Sequence, residues 1–215
     1  MKKSILFSYE AHYSISHEPS GKEKELWLVF HGYGQLAEFF IRKFLPFDSA
    51  DRIFLAPEGT NYGYLKEFQG RVGANWMTKH EREVAIDNNH RYLNLLMEQT
   101  LEKFEQFPKI HILGFSQGAA TSTRWASQWP GQIETLVLWA GGFAQDLSLD
   151  LGREKFEHTE LILAFGDQDE LIQEEHKAHQ LELVQSLGKA IRVLTFPGGH
   201  ELDPDLLEKI MNHKV

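Results

Sequence analysis

"KIHILGFSQGAATS", residues 109–122, carries an apolar run that stops at two glycines flanking one serine: Gly114 and Gly118 stand either side of Ser116. Glycine weakens both strands and helices, so two of them beside one serine mark a backbone forced into geometry that other residues resist. Residues 109–113 read as a buried strand and those after Gln117 as a helix, kept slim at its start by Ala119 and Ala120. The segment fits G-x-S-x-G, the sharp strand-to-helix turn that lifts a serine hydroxyl above a sheet edge. Gly114 and Gly118 are then expected to approach each other and the neighbouring strands so closely that a Cβ would collide.

Working outward, short apolar runs alternate with longer amphipathic stretches: "ELWLVF" 25–30, "RIFLA" 52–56, "TLVLWA" 135–140, "ELILAF" 160–165 and "IRVLTF" 191–196 join 109–113 as strands. Most are apolar on consecutive residues, which predicts an α/β fold whose mostly parallel central sheet is covered by helices on both faces. "ILFSYEAHYSIS" near the start alternates more and reads as a half-exposed antiparallel edge. Helices are expected over 36–45, 80–104, 117–129, 170–187 and 203–212. In the longest, Ile86, Leu93, Met97 and Phe104 share one face, with Thr78 and Glu81 spaced as a capping box. Residues 57–77 and 141–158 lack periodicity and follow strand ends, the side on which open parallel sheets bind ligands, so they are candidate pocket walls. No repeat or linker divides the chain, and one domain over 1–215 is expected.

Composition narrows the chemistry. A net charge of −9 without a long Lys/Arg block argues against a nucleic-acid partner. The absence of cysteine removes disulfides, thiolate metal sites and a cysteine nucleophile. Apolar runs are too short to span a bilayer, so no integral membrane association is expected. The opening "MKKSILFSYEAHYS" breaks at Ser8 and Glu10 before a signal core forms, and the expectation is a cytoplasmic protein that begins near here. "EEHKAH" sets His176 and His179 one helical turn apart but fits no zinc-protease arrangement, so it reads as a solvated helix face. No metal and no cofactor are expected.

A lone serine is a poor nucleophile at neutral pH and needs a base, an orienting carboxylate and an oxyanion site. "VFHGYGQL" at 29–36 turns tightly after a strand, so the backbone N–H of Tyr33 can serve as oxyanion donor beside that of Gln117, the residue after the serine. "LAFGDQDELI" at 163–172 offers Asp167 and Asp169 just past a strand, either of which can be the acid. "TFPGGHELDP" at 195–204 presents His200 behind two glycines. The chain order Ser, Asp, His is that of the α/β-hydrolase fold.

Gly-Phe-Ser-Gln-Gly-Ala at 114–119, His-Gly-Tyr-Gly at 31–34, Gly-Asp-Gln-Asp at 166–169 and Gly-Gly-His at 198–200 together resemble the small serine esterases of the phospholipase/carboxylesterase type, relatives of acyl-protein thioesterases. The resemblance spans nearly the whole chain. It implies an α/β-hydrolase fold with Ser116, Asp169 and His200 as triad, Asp169 being preferred to Asp167, and oxyanion donors at Tyr33 and Gln117. It also implies a small-molecule ester substrate, with Trp76 in "ANWM" and Phe143 in "WAGGF" as candidate substrate-binding residues. Two departures bear on substrate preference: "WAGGF" at 139–143 stands where the family more often has a serine-glycine pair, and Leu171-Ile172 lacks a proline frequent there. A hydrolase-fold binding protein without turnover and a peptidase of the same fold are the alternatives to an esterase.

Overall fold

The computed structural model describes residues 1–212; the last three residues of the span expected to form one domain, 213–215, lie outside it. In chain order the elements are β1 (Tyr13–Ile15), β2 (Glu25–Phe30), α1 (Ala37–Phe40), β3 (Arg52–Pro57), β4 (Asn61–Lys66), β5 (Gln69–Asn75), α2 (Arg82–Leu101), β6 (Lys109–Phe115), α3 (Gln117–Gln128), β7 (Thr135–Trp139), α4 (Leu149–Lys155), β8 (Glu160–Gly166), α5 (Glu174–Ser186), β9 (Arg192–Phe196) and α6 (Pro204–Met211). Seven strands form the main sheet in the order β1-β3-β2-β6-β7-β8-β9. All its pairings are parallel except β1 with β3, where Tyr13 faces Pro57.

Strand side chains point alternately to opposite faces, so an all-apolar strand fills two cores at once. In β2, Leu26, Leu28 and Phe30 enter a core completed by Leu93 and Met97 of α2 and Trp125 of α3. Trp27 and Val29 enter the other, closed by Phe40 of α1 and Leu206 and Ile210 of α6. There Trp27 stacks on His111 with 4.6 Å between ring centroids. Helices thus cover both faces of the sheet, as an α/β-hydrolase fold requires.

The sheet order positions the site. From β2 the chain passes to β3 on one side, then returns to β6 on the other. The loops leaving the carboxyl ends of β2 and β6 therefore diverge, and the crevice between them is where such sheets take ligands.

Several local expectations are corrected. Residues 61–75 are an exposed hairpin, β4 paired with β5, and not an irregular loop. Its outer residues are open to solvent, so burial imposes no alternation, and its turn uses Glu67 at φ 49° without an Asn-Gly signal. Residues 149–155 form α4, too short and too interrupted by Gly152 to show a period. Strand β9 is an edge whose Arg192 and Val193 are exposed and whose Phe196 is buried, so it is not covered on both faces. The capping box does not form: α2 starts at Arg82 after Glu81 at φ 50°, and the Thr78 hydroxyl is used in a local turn, accepting from the His80 N–H at 3.2 Å.

Just before β2, Glu23 is almost wholly buried, with 3% exposure. Its carboxylate accepts from Ser20 N (2.7 Å), Ser20 Oγ (2.8 Å) and Gly21 N (3.1 Å). Burial alone raises a carboxyl's pKa, but these hydrogen bonds outweigh it and hold Glu23 down at about 2. The folded state then binds fewer protons than the unfolded chain, so the stabilisation is complete above the ordinary value of 4.5 and is lost as pH falls towards 2. Glu23→Gln is expected to lower unfolding free energy by roughly 1–3 kcal/mol at pH 7. Urea midpoints at pH 7 and pH 3 should show the variant and wild type converging in acid.

Candidate active site

Ser116 occupies the single residue between β6 and α3, at φ 53° and ψ −118°. A positive φ is costly for a residue with a Cβ and persists only where the surroundings enforce it. They do so here through close contact. A Cβ on Gly114 would lie 2.5 Å from the Ala119 Cα and 2.7 Å from the Gly118 carbonyl oxygen, and one on Gly118 would lie 2.4 Å from the Phe30 carbonyl oxygen. The Ser116 N–H donates to the Trp139 carbonyl at 2.8 Å, tying the turn to the end of β7.

His200 follows the last strand and reaches this serine. Its Nε2 lies 2.8 Å from Ser116 Oγ and its Nδ1 lies 2.8 Å from Asp169 Oδ2. The consistent arrangement has Nδ1–H donating to the carboxylate and Nε2 accepting from the hydroxyl. The Asp169 side chain is fully buried, while the imidazole keeps 21% of its surface open. The second carboxylate oxygen, Oδ1, accepts from Leu171 N at 2.9 Å. Asp167 faces elsewhere: its Oδ1 accepts from Gly198 N at 3.1 Å and steadies the turn that carries His200. The three side chains thus come from the ends of β6, β8 and β9, with Ser116 and Asp169 lying 84 and 31 positions before His200.

The loop 31–36 lies across from the serine. Its start touches α3, since a Cβ on Gly118 would also lie 2.6 Å from the His31 carbonyl oxygen. Neighbouring amides are engaged: Gly32 N donates to Gln35 Oε1 (2.8 Å), Gly34 N to the Ala74 carbonyl (2.8 Å) and Gln35 N to the Gly32 carbonyl (3.3 Å). The Tyr33 N–H has no hydrogen-bond partner among the described residues. That of Gln117, in the first turn of α3, has no partner within the helix either. Both expected oxyanion donors are therefore available as donors at one end of the sheet.

The supporting shell gives residues already singled out in the sequence side-chain roles that the sequence does not declare. The Gln117 side chain accepts from Trp76 N (2.9 Å) and donates to the Met77 carbonyl (2.8 Å), pinning the strand end of β5 against the serine turn. His31 is completely buried; its Nδ1 donates to the Gly32 carbonyl (2.7 Å) and its Nε2 accepts from Gly59 N (2.9 Å). The sequence signals for His31 are its place in a tight turn directly after a buried strand and in the His-Gly-Tyr-Gly motif, neither of which assigns its side chain a role. Trp76 and Phe143 are both placed in the core, at 0% and 2% exposure. The Trp76 ring stacks on His31 and its Nε1 donates to the His31 carbonyl at 2.9 Å, so it braces loop 31–36 from behind. Phe143 packs edge-on against Phe156, and its N–H donates to Gln180 Oε1 at 2.7 Å. Both rings, expected as substrate-binding residues, are closed off from solvent in this structure.

A cavity of about 830 Å³ is lined by Glu25, Asp48, Arg52, Leu207 and neighbours, and none of Ser116, Asp169 or His200 borders it. Geometry of reacting groups locates the site better than cavity size does. Among the described residues no group of three or more His, Asp or Glu is arranged to hold a metal ion, and no helix is long and apolar enough to cross a membrane.

A strained serine on a strand-to-helix turn, joined to a histidine and a buried aspartate at the carboxyl ends of a mostly parallel sheet, defines a protein of the α/β-hydrolase type. The family described as phospholipase/carboxylesterase matches residues 11–214, and the chain belongs to it; it is a hydrolase enzyme of that family. Among solved structures it is similar to the esterase PE8, at 20% identity over 95% of this chain and 98% of that one, with a TM-score of 0.71. It is also similar to Zea mays acyl-protein thioesterase 2 (14% identity, 95% and 97% covered, TM-score 0.72). A phospholipase/carboxylesterase from Dyadobacter fermentans matches as well (16% identity, 96% and 97% covered, TM-score 0.67). No curated protein matches the chain.

Burial pushes the His31 imidazole below its ordinary pKa, against the opposing pull of its hydrogen bond to Gly32 and the nearby Glu58 carboxylate. Protonation would also put a second donor against the Gly59 N–H. The unfolded chain binds this proton more readily than the folded one, so the stability held above the ordinary value of 6.5 declines as pH drops below it. His31→Gln is expected to make that decline shallower. Urea unfolding of both proteins from pH 7.5 to pH 5.5 measures the two slopes.

Proposed function

We propose that this hydrolase is a serine esterase that cleaves carboxylic esters through an acyl-enzyme on Ser116. One observation carries the reading: the continuous hydrogen-bonded series from Ser116 Oγ to His200 to Asp169, at 2.8 Å for each link. In the reaction His200 Nε2 takes the hydroxyl proton as Oγ attacks the carbonyl carbon. Asp169 holds the imidazole with Nδ1–H towards itself and stabilises the positive ring that forms. The carbonyl oxygen becomes an oxyanion between the Tyr33 and Gln117 N–H groups, which lie in a backbone already rigid before charge develops. The C–O bond to the alcohol breaks, and His200 gives its proton to the departing oxygen. Water then attacks the acyl carbon while His200 accepts its proton, and the acid leaves with Ser116 restored.

The proposed substrates are esters with short or medium acyl chains, lysophospholipids and acyl thioesters being the related classes that the same chemistry serves. Relatives described as an esterase, a thioesterase and a phospholipase/carboxylesterase support that range. A pure binding role leaves the hydrogen-bonded triad without a use.

A fluorophosphonate probe is expected to form one adduct, on Ser116, by mass mapping of the folded protein; no adduct there would end the serine reading. Ser116→Ala and His200→Ala are expected to lose on the order of a millionfold in kcat on an aryl ester, and Asp169→Asn about ten-thousandfold because the histidine tautomer is then wrong. Tyr33→Ala keeps its backbone donor and should lose less than tenfold. Turnover on esters and thioesters of increasing acyl length sorts the substrate classes, and cleavage of peptides alone would favour a peptidase.

A further inference from the structure

The loop that holds the Tyr33 N–H is gripped at both ends by one dipeptide that follows β3. At the start of the loop, Gly59 N donates to His31 Nε2 at 2.9 Å. At its end, Ala37 N donates to Glu58 Oε2 at 2.7 Å. The other oxygen, Oε1, accepts from the Tyr62 hydroxyl at 2.8 Å, so the same carboxylate ties the loop to the hairpin β4–β5.

Glu58 is 8% exposed and forms no ion pair among the described residues. Its backbone is itself anchored, with N–H donating to the His12 carbonyl (3.1 Å), to which the Tyr92 hydroxyl also donates (2.6 Å). Gly59 sits so tightly on the hairpin base that a Cβ would lie 2.6 Å from the Asn75 carbonyl oxygen. A buried carboxylate held by neutral donors alone is a poor choice for stability, because its desolvation is not offset by a partner charge. It is a good choice for fixing two donors relative to each other. Moreover α1 has no capping side chain of its own, since Leu36 holds that position, and Glu58 supplies the acceptor from the segment that follows β3.

We propose that Glu58 is a positioning residue: by bridging Ala37 N and the Tyr62 hydroxyl it sets loop 31–36 in the place from which the Tyr33 N–H reaches the oxyanion. This rests on the esterase reading for its catalytic consequence, but not for the clamp itself. The effect is one of geometry and not of charge. In Glu58→Gln the amide oxygen still accepts from Ala37 N, and the Tyr62 oxygen can accept from the amide nitrogen.

The test is a pair of readouts on the full chain. In Glu58→Ala, amide hydrogen exchange over 31–37 is expected to accelerate at least tenfold while 109–115 stays as in wild type. On an aryl ester, kcat should fall at least tenfold with KM changed less than threefold, because the misplaced donor acts in the transition state. Glu58→Gln should restore both to within about threefold of wild type. Unchanged exchange over 31–37 in Glu58→Ala, or a loss carried by KM alone, would overturn the proposal, as would a Gln variant as impaired as the Ala variant. Should Glu58→Ala fail to fold, Tyr62→Phe carries the test: it frees one carboxylate oxygen and is expected to raise exchange over 31–37 and lower kcat two- to fivefold, wild-type values of both counting against the clamp. If the wild type shows no ester turnover and no Ser116 adduct, the esterase reading fails, and the clamp stands or falls on exchange alone.

Discussion

The site depends on one backbone constraint, the positive φ of Ser116. A residue with a side chain does not hold φ 53° and ψ −118° by preference, so the turn exists only because everything around it excludes the alternatives. Gly114 and Gly118 let the start of α3 close onto β6 and onto the end of β2 with no room for a methyl group. The same closure that strains Ser116 brings the Phe30 and His31 carbonyls against Gly118, and so delivers loop 31–36 to the serine. Ser116 and loop 31–36 are thus positioned by a single packing event. That is why the topological crossover between β2 and β6 matters more here than the length of any helix.

The parts of the molecule that were legible beforehand are those in which one physical demand dominates. Strands β2, β3, β6, β7 and β8 are buried on both faces and therefore almost wholly apolar past their first residue, His111 of β6 being the exception, so they declare themselves. Ser116 and His200 stand out because glycines accumulate where backbone passes close to backbone. The choice between Asp167 and Asp169 is different in kind. Both follow the same strand, and a two-residue offset decides which carboxylate meets the imidazole and which meets Gly198 N; only the resemblance to relatives separated them in advance. The hairpin β4–β5 was invisible because its exposed faces carry aromatic, apolar and charged residues alike, leaving no alternation to read. Trp76 and Phe143 drew attention as aromatic residues near strand ends, yet an aromatic ring braces a loop as readily as it greets a substrate.

The shell around the triad is built from neutral hydrogen-bonding groups more than from ion pairs. Gln117, Asn89 and Asn61 all spend side-chain amides on the backbone of residues 75–77, with Asn89 Nδ2 donating to the Trp76 carbonyl at 2.8 Å. An amide pairs with a peptide group in fixed register, and burial strengthens the pair instead of penalising it as it would a lone charge. At Asn75 the segment still pairs with Asn61 of β4, and beyond it side-chain amides from Gln117, Asn89 and Asn61 take over the backbone of Trp76 and Met77, which holds the end of the hairpin next to the serine turn.

On the opposite side of the serine, the end of β7 carries the second strained residue of the region. Ala140 has φ 47°, is buried, and donates its N–H to the Ala164 carbonyl at 2.8 Å. It directly follows Trp139, whose carbonyl holds the Ser116 N–H, and precedes Gly141, where a Cβ would lie 2.7 Å from the Ser116 carbonyl oxygen. The two unfavourable backbone conformations are in contact, so they act as one device: relaxing either requires moving the other. The family more often has a serine in this neighbourhood, and alanine brings no hydroxyl with which to satisfy the bent backbone, which leaves packing and the bond to β8 to hold it. Beyond this bend the chain is fastened again, by Phe143 N to Gln180 and by Asp146 between Arg82 (2.7 Å) and Arg124 (2.8 Å). Arg124 is mostly buried, which raises the worth of its contact, in which Nε–H is shared between both Asp146 oxygens, above that of an ordinary surface pair. Residues 140, 143 and 146 are tied to β8, to α5 and to both α2 and α3, so this segment has the contacts of a fixed wall and not those of a lid.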